Sequence, residues 1–260
     1  MTDHRVTFTR VCRAEWTKLV SLRSTWFVLG TVAVLTVALA GLISWAANRG
    51  GGVTQTVEEA VGRAYLGIDL SALVFGVFGV LLVTGEYSSG LIRATLAAVP
   101  GRLPVLLAKA VVVCVAVAPL MLVVCVASFA AAQAFVEPDQ RIWFDDPAVL
   151  RATVGAALAP AASALLGLGT GAMLRHTAGA ITVYVVALLV LPALLPSALP
   201  EGVRDDIVPY VPVAAAQATY AVGDQNPFLM LPPGRAALVL AAWVLIAVAG
   251  GALVLRRRDA

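Results

Sequence analysis

Along the chain, long uncharged runs alternate with short charged clusters. Arg23 and Arg49 enclose 25 uncharged residues, Lys109 and Glu137 enclose 27, Arg151 and Arg175 enclose 23, Arg175 and Glu201 enclose 25, and Arg235 and Arg256 enclose 20. About 20 apolar residues in a helix cross a hydrocarbon core of about 30 Å, so each run is long enough. A sixth run, Leu66–Thr84, holds one acid, Asp69, near its start. The residues Thr56-Val57-Glu58-Glu59 ahead of it have capping-box spacing and put two carboxylates at the positive end of a helix, which is therefore expected to begin there. The pattern predicts an all-α integral membrane protein forming one transmembrane domain. Its six spans lie at about 24–48, 57–85, 104–132, 151–174, 177–199 and 235–255, with loops at 133–150 and 200–234. Each span must be a helix, because lipid offers the backbone no hydrogen-bond partner. The first run follows a polar lead and exceeds the roughly 7–15 residues of a signal-peptide core, so it reads as a retained anchor.

Composition agrees with the pattern. Of 260 residues, 60% are hydrophobic and 13% charged, and the mean hydropathy is +0.92. A soluble domain carries roughly 25% charged residues, and half of that cannot cover a globule in water. Soluble enzymes and nucleic-acid binders are thereby excluded. The excess of cations must be read by position. With six spans and a cytosolic N-terminus, twelve of the 18 Lys and Arg residues fall on the cytosolic side, against four acids; six cations and eleven acids fall outside. That split satisfies the positive-inside rule and puts both termini in the cytosol. Cys114 and Cys125 share the third span about 16 Å apart along the helix, beyond disulfide reach, and with Cys12 they read as small apolar residues.

Two segments on the cytosolic side are patterned. In residues 1–23, Phe8, Val11, Cys12, Trp16, Leu19 and Val20 recur at helical spacing, with Arg10, Arg13, Thr17, Lys18 and Ser21 on the other face. This is an amphipathic helix on the membrane surface, with Trp16 at the headgroup level and Arg13 and Lys18 toward anionic lipid. It serves either as an anchor or as a lever that also meets a cytosolic partner. The second segment, 86–103, joins spans two and three. It reads as a short helix capped by Ser88 or Ser89 and stopped before Pro100, or as a solvated turn.

These stretches carry a resemblance. The run Gly85-Glu86-Tyr87-Ser88-Ser89-Gly90-Leu91-Ile92-Arg93 through Arg102, the lead Glu15-Trp16-Thr17-Lys18-Leu19 with Ser21–Trp26, and the tail from Leu255 to Ala260 are similar to membrane subunits of bacterial type-2 ABC transporters of the actinobacterial kind. Likeness in length and span count covers the whole chain; sharper likeness adds only Gly167–Ile181 and Tyr210–Tyr220. The resemblance implies a permease in the bacterial cell membrane, homodimeric or paired with a related permease, and a pair of separate ATPase subunits that bind the ATP and Mg. It also implies a coupling helix beginning at Glu86, with Glu86, Ser89 and Arg93 as contacts to the ATPase, and export of a lipid-like or drug-like substrate.

The chain itself has no G-x-x-x-x-G-K-[ST] phosphate loop, no Cys pair at metal-ligand spacing, and its two histidines, His4 and His176, are far apart. Two other classes were weighed. A secondary transporter or channel keeps ionisable groups at mid-membrane, and Asp69 is the one candidate, near a span end. An intramembrane serine hydrolase needs a serine beside a histidine; Ser163 is about 20 Å from His176 along span four, and Ser89 lacks a strained nucleophile setting. Span four repeats a small residue every fourth position, Gly155, Ala159, Ser163, Gly167 and Gly171, a groove for close helix packing within the chain or between subunits. Pro119, Pro160 and Pro192 are expected to kink spans three, four and five. The 197–234 segment, with Pro209-Tyr210-Val211-Pro212, is a candidate for re-entry into the outer leaflet.

Overall fold

The structure, a computed structural model, describes residues 7–50, 55–92, 95, 102–223 and 231–257. All regular elements among them are helical. They are α1 (Phe8–Ser21), α2 (Arg23–Ala47), α3 (Val57–Tyr65), α4 (Ile68–Ser88), α5 (Arg102–Gln133), α6 (Pro147–Leu174), α7 (Thr177–Val185), α8 (Leu191–Ala198), α9 (Glu201–Ile207), α10 (Pro212–Tyr220) and α11 (Pro233–Arg257). Six helical stretches are long and apolar enough to cross a membrane: α2, α3 with α4, α5, α6, α7 through α8, and α11. The chain is a multi-pass membrane protein.

The ends of the spans follow local chemistry more than charge position. Thr56 and Glu59 form the capping box that starts α3. Span two is not one helix, however: α3 stops at Tyr65 and α4 starts at Ile68, where Gly67 lies against the backbone of Thr36 in α2. Span four begins at Pro147, four residues before the charge that marked it in sequence. Asp146 accepts the Ala148 N–H there, and Pro147 loses no bond in the first turn. The helix ends at Arg175, the one non-glycine residue with positive φ (58°) among those described. His176 at once caps α7, its Nδ1 accepting the Gly179 N–H at 3.2 Å. Pro119 and Pro160 stay inside continuous helices. Pro192 has no N–H to donate, and the ladder before it slips into a π turn at Val186–Val190, with the Leu191 N–H bonded back to Val186.

Span four is the hub. Of its apolar window 61% is buried, against 11% for span five. Where lipid removes the hydrophobic driving force, helices associate through close packing and interhelical hydrogen bonds, and small residues allow the closest approach. An added methyl group on Gly167 would overlap the Gly76 carbonyl of α4, one on Gly79 the Ala164 carbonyl of α6, and one on Gly169 the Ala247 backbone of α11. Gly171 meets Val80, and Gly155 meets the carbonyl of Thr219 in α10. Ala159 is buried in the same stripe, and the Ser163 and Tyr184 hydroxyls bond at 2.9 Å. The stripe is thus used inside the chain. Polar ties between spans add to it: Thr36 to Ser71 at 2.7 Å, Tyr65 to Thr153 at 2.5 Å, and the Ser44 hydroxyl to the Ala132 carbonyl at 2.5 Å. Each is worth about 0.6 kcal/mol on average in such proteins.

Helix α1 and the Arg257 end of α11 lie at one end of the bundle, the terminal end. There the Arg175 guanidinium donates to the Val254 carbonyl of α11 at 3.1 Å and lies 5.3 Å from the Tyr87 ring centroid of α4. At the far end α9 and α10 cover the spans. Arg151 closes the last turn of α10 by donating to the carbonyls of Thr219 (3.1 Å) and Ala221 (2.6 Å).

The packing makes a testable distinction between glycines. Gly167→Val should destabilise the fold by about 1–3 kcal/mol, since an overfilled contact must push backbone apart. Gly30→Ala, with nothing within 4 Å of the new atom, should leave thermal unfolding in detergent unchanged.

Candidate functional site

At the terminal end four charges meet, three of them buried and the fourth, Lys18, half-buried. Helix α1 turns Val11, Glu15 and Leu19 inward at four-residue spacing, with Val11 seated on Val105 and Ala108 of α5. Glu15 is 5% exposed, Glu86 near the end of α4 is 7%, and Lys109 two turns into α5 is 7%. The Lys109 Nζ donates to Glu15 Oε2 at 2.6 Å and to Glu86 Oε1 at 2.7 Å. Lys18, one turn along from Glu15, donates to Glu15 Oε1 at 2.8 Å and Glu86 Oε1 at 2.9 Å. It also reaches the Thr95 Oγ1 at 3.3 Å. Each lysine bridges both carboxylates, and the quartet is neutral.

The choice of lysine fits the geometry. An ammonium is a compact charge with three donors that can be shared among several oxygens, where a flat guanidinium would demand a paired edge. Sixteen of the chain's 18 cations are Arg, and its only two lysines are these. Burial works against the charge on Lys18, yet the hydrogen bonds to Glu15 and Glu86 outweigh it and hold its pKa above the ordinary 10.5. On Glu86 the Oε2 oxygen has no hydrogen-bond partner among the described residues. Beside the quartet lies a cavity of about 570 Å³, walled by Leu19, Phe78 and Val112 with all four charged side chains at its edge.

Energetically such a cluster fixes geometry more than it adds stability. Desolvating the ions consumes most of the Coulomb gain, whereas removing one partner strands a buried charge. What the quartet does is fasten α1, a helix outside the spans, to the terminal ends of spans two and three.

The sequence-derived residues divide as follows. Lys18 does not face away from the bundle; it turns toward it, because Glu86 and Glu15 supply charges there. Phe8 and Trp16, on the apolar stripe of α1, are 46% and 41% exposed. Trp26 and Phe27 at the start of α2 are exposed as well. Arg13 is exposed. Glu86 is buried and taken up by the two lysines, so its carboxylate is not free at the surface. Ser88 and Ser89 do not cap a following helix: α4 runs through Ser88, both hydroxyls donate to the Gly85 carbonyl, and Gly90 (φ +72°) ends it. Leu91, Ile92 and Thr95 are helical; Arg93 and most of 93–101 lie outside the described residues. Glu15 and Lys109 were missed. The scarcity of lysine was a signal for Lys109; nothing local in the sequence marks Glu15.

Lys109→Met should cost about 3–5 kcal/mol by stranding buried carboxylate charge. Adding Glu86→Gln should recover much of that loss; equal losses for the single and double variants would show the charges to be independent. A raised lysine pKa stabilises the fold fully below the unfolded value and ceases to do so as pH rises through the folded one. The Lys18 contribution should therefore be intact up to about pH 10.5 and disappear above it, read from unfolding midpoints of wild type against Lys18→Met.

No protein-family model and no curated protein matches the chain.

Proposed function

We propose that the chain is the membrane-spanning permease subunit of a bacterial ABC transporter. It sits in the cell membrane with its terminal end in the cytosol and exports a hydrophobic or amphipathic substrate. ATP and Mg are bound by a separate ATPase subunit, and a second copy or a related permease completes the path. The observation that supports this reading is the largely buried quartet. A soluble subunit pressing on α1, or on the segment that follows Glu86, would load a junction to which spans two and three are both attached. The chain's lack of a phosphate loop then makes sense, since the energy arrives mechanically. Glu86 is a transmitting group in this reading, not a surface contact, and Arg93 is the polar contact that the resemblance leaves for the partner.

The test is reconstitution of the chain with a candidate ATPase partner, identified by co-purification from the source membrane. ATP-driven movement of a lipophilic substrate is expected only with both subunits. Arg93→Glu should leave membrane insertion intact and uncouple transport from hydrolysis; unchanged transport would remove Arg93 from the mechanism.

A gradient-driven transporter is the second reading, favoured by ionisable groups buried beside a cavity. It predicts transport by the chain alone that an ionophore abolishes.

A further inference from the structure

At the far end, a second cavity of about 270 Å³ opens between α4, α6, α10 and the π turn of span five. Its walls are apolar, formed by residues such as Leu73, Leu166, Leu188 and Pro192. The Ser163–Tyr184 hydroxyl pair lies deeper along α4: Tyr184 also reaches the Ala72 carbonyl at 3.3 Å, and its ring packs against Gly76. Asp69 lines the same cavity and is exposed. Its Oδ2 accepts the Gln217 Nε2–H and its Oδ1 the Tyr220 hydroxyl, both at 2.8 Å. The donors come from α10, which Arg151 and Gly155 hold on span four. The carboxylate is therefore oriented from two sides and keeps unused lone pairs. No described cation lies within ion-pair distance of it.

An apolar cavity with one fixed charge is a ligand site of a defined class: the walls take a hydrocarbon body and the charge selects its head. A neutral amphiphile would gain nothing from Asp69, and an anion would be repelled. The Gln217 and Tyr220 donors keep the carboxylate from turning away, and the apolar wall lowers the local dielectric around an ion pair. We infer that this cavity binds lipophilic ammonium-type cations, with the positive head at Asp69 and the apolar tail toward the Ser163–Tyr184 pair. This deepens the permease reading by naming its substrate class, and rests on that reading for what the bound cation is used for. Binding itself requires no ATPase.

The plainer role for Asp69 is a clamp that ties α10 to α4, so the experiment must separate charge from clamping. The probes are 4-phenylbutylammonium and 4-phenylbutan-1-ol, which share a carbon skeleton and differ in charge. Their binding to the full chain in nanodiscs is measured by equilibrium dialysis against empty nanodiscs. Wild type should prefer the ammonium. Asp69→Asn keeps an accepting oxygen but removes the charge; it should weaken ammonium binding by about two- to fivefold, as an ion pair at an exposed site allows, and leave the alcohol unchanged. Gln217→Leu removes a clamp bond but not the charge, and should retain the preference for ammonium. Equal losses for both probes in Asp69→Asn would reduce Asp69 to a clamp and overturn the inference, as would wild-type binding that ignores charge or is absent. Loss of charge preference would leave ATP-coupled transport standing, and failure of ATP-coupled transport would leave this binding result readable.

Discussion

Three charges buried among apolar helices, Glu15, Glu86 and Lys109, can persist only while each has its partners, and with the half-buried Lys18 that constraint organises the terminal end of this protein. Glu15 and Lys18 come from a helix outside the membrane spans, Glu86 from the end of span two, and Lys109 from the start of span three. A displacement of α1 alone would part Glu15 from Lys109 where solvent hardly reaches, so α1, α4 and α5 have reason to move together. Hydrophobic contact, as between Val11 and Val105, is non-directional and would let α1 slide or roll. The ion pairs forbid that, since each ammonium must stay within hydrogen-bond distance of two carboxylates.

Span four supplies the frame in which this junction sits. Gly76 and Gly79 of α4 close on Ala164 and Gly167 of α6, and Gly169 closes on Ala247 of α11. Contacts that tight leave no room for adjustment, so spans two, four and six form a stiff unit. The π turn before Pro192 and the short helices α9 and α10 lie at its edge, around the far-end cavity. The molecule thus has a charged junction at one end, a small apolar cavity at the other, and a close-packed set of helices between them.

Much of this was legible in the sequence. Five uncharged runs and a sixth with one acid marked the six spans, because membrane thickness sets a length that charge spacing reports directly. The Thr56–Glu59 box gave the start of α3, because capping is local. The stripe on span four was visible as a period of four, although its partners were not: that Gly167 meets Gly76 depends on how two helices cross. The quartet was hidden for a related reason. Glu15 and Lys109 are separated by 94 positions, and helical periodicity assigned Lys18 to the polar face because periodicity weighs apolarity and cannot see a distant carboxylate. Asp69 was read as an acid near a span end; Gln217 and Tyr220, its donors, come from a segment that hydropathy leaves blank.

The central claim is that charge pairing holds α1 to the spans. It is tested most directly by spin-label distance measurements between Thr17→Cys on α1 and Ser88→Cys at the end of α4, both exposed positions, with Cys12 and Cys114 replaced by alanine. The account predicts a single narrow distance in the otherwise unchanged chain, and a broad distribution once Lys109→Met is added. A distribution that stays equally narrow with Lys109 gone would mean that apolar packing alone fixes α1, and would contradict it.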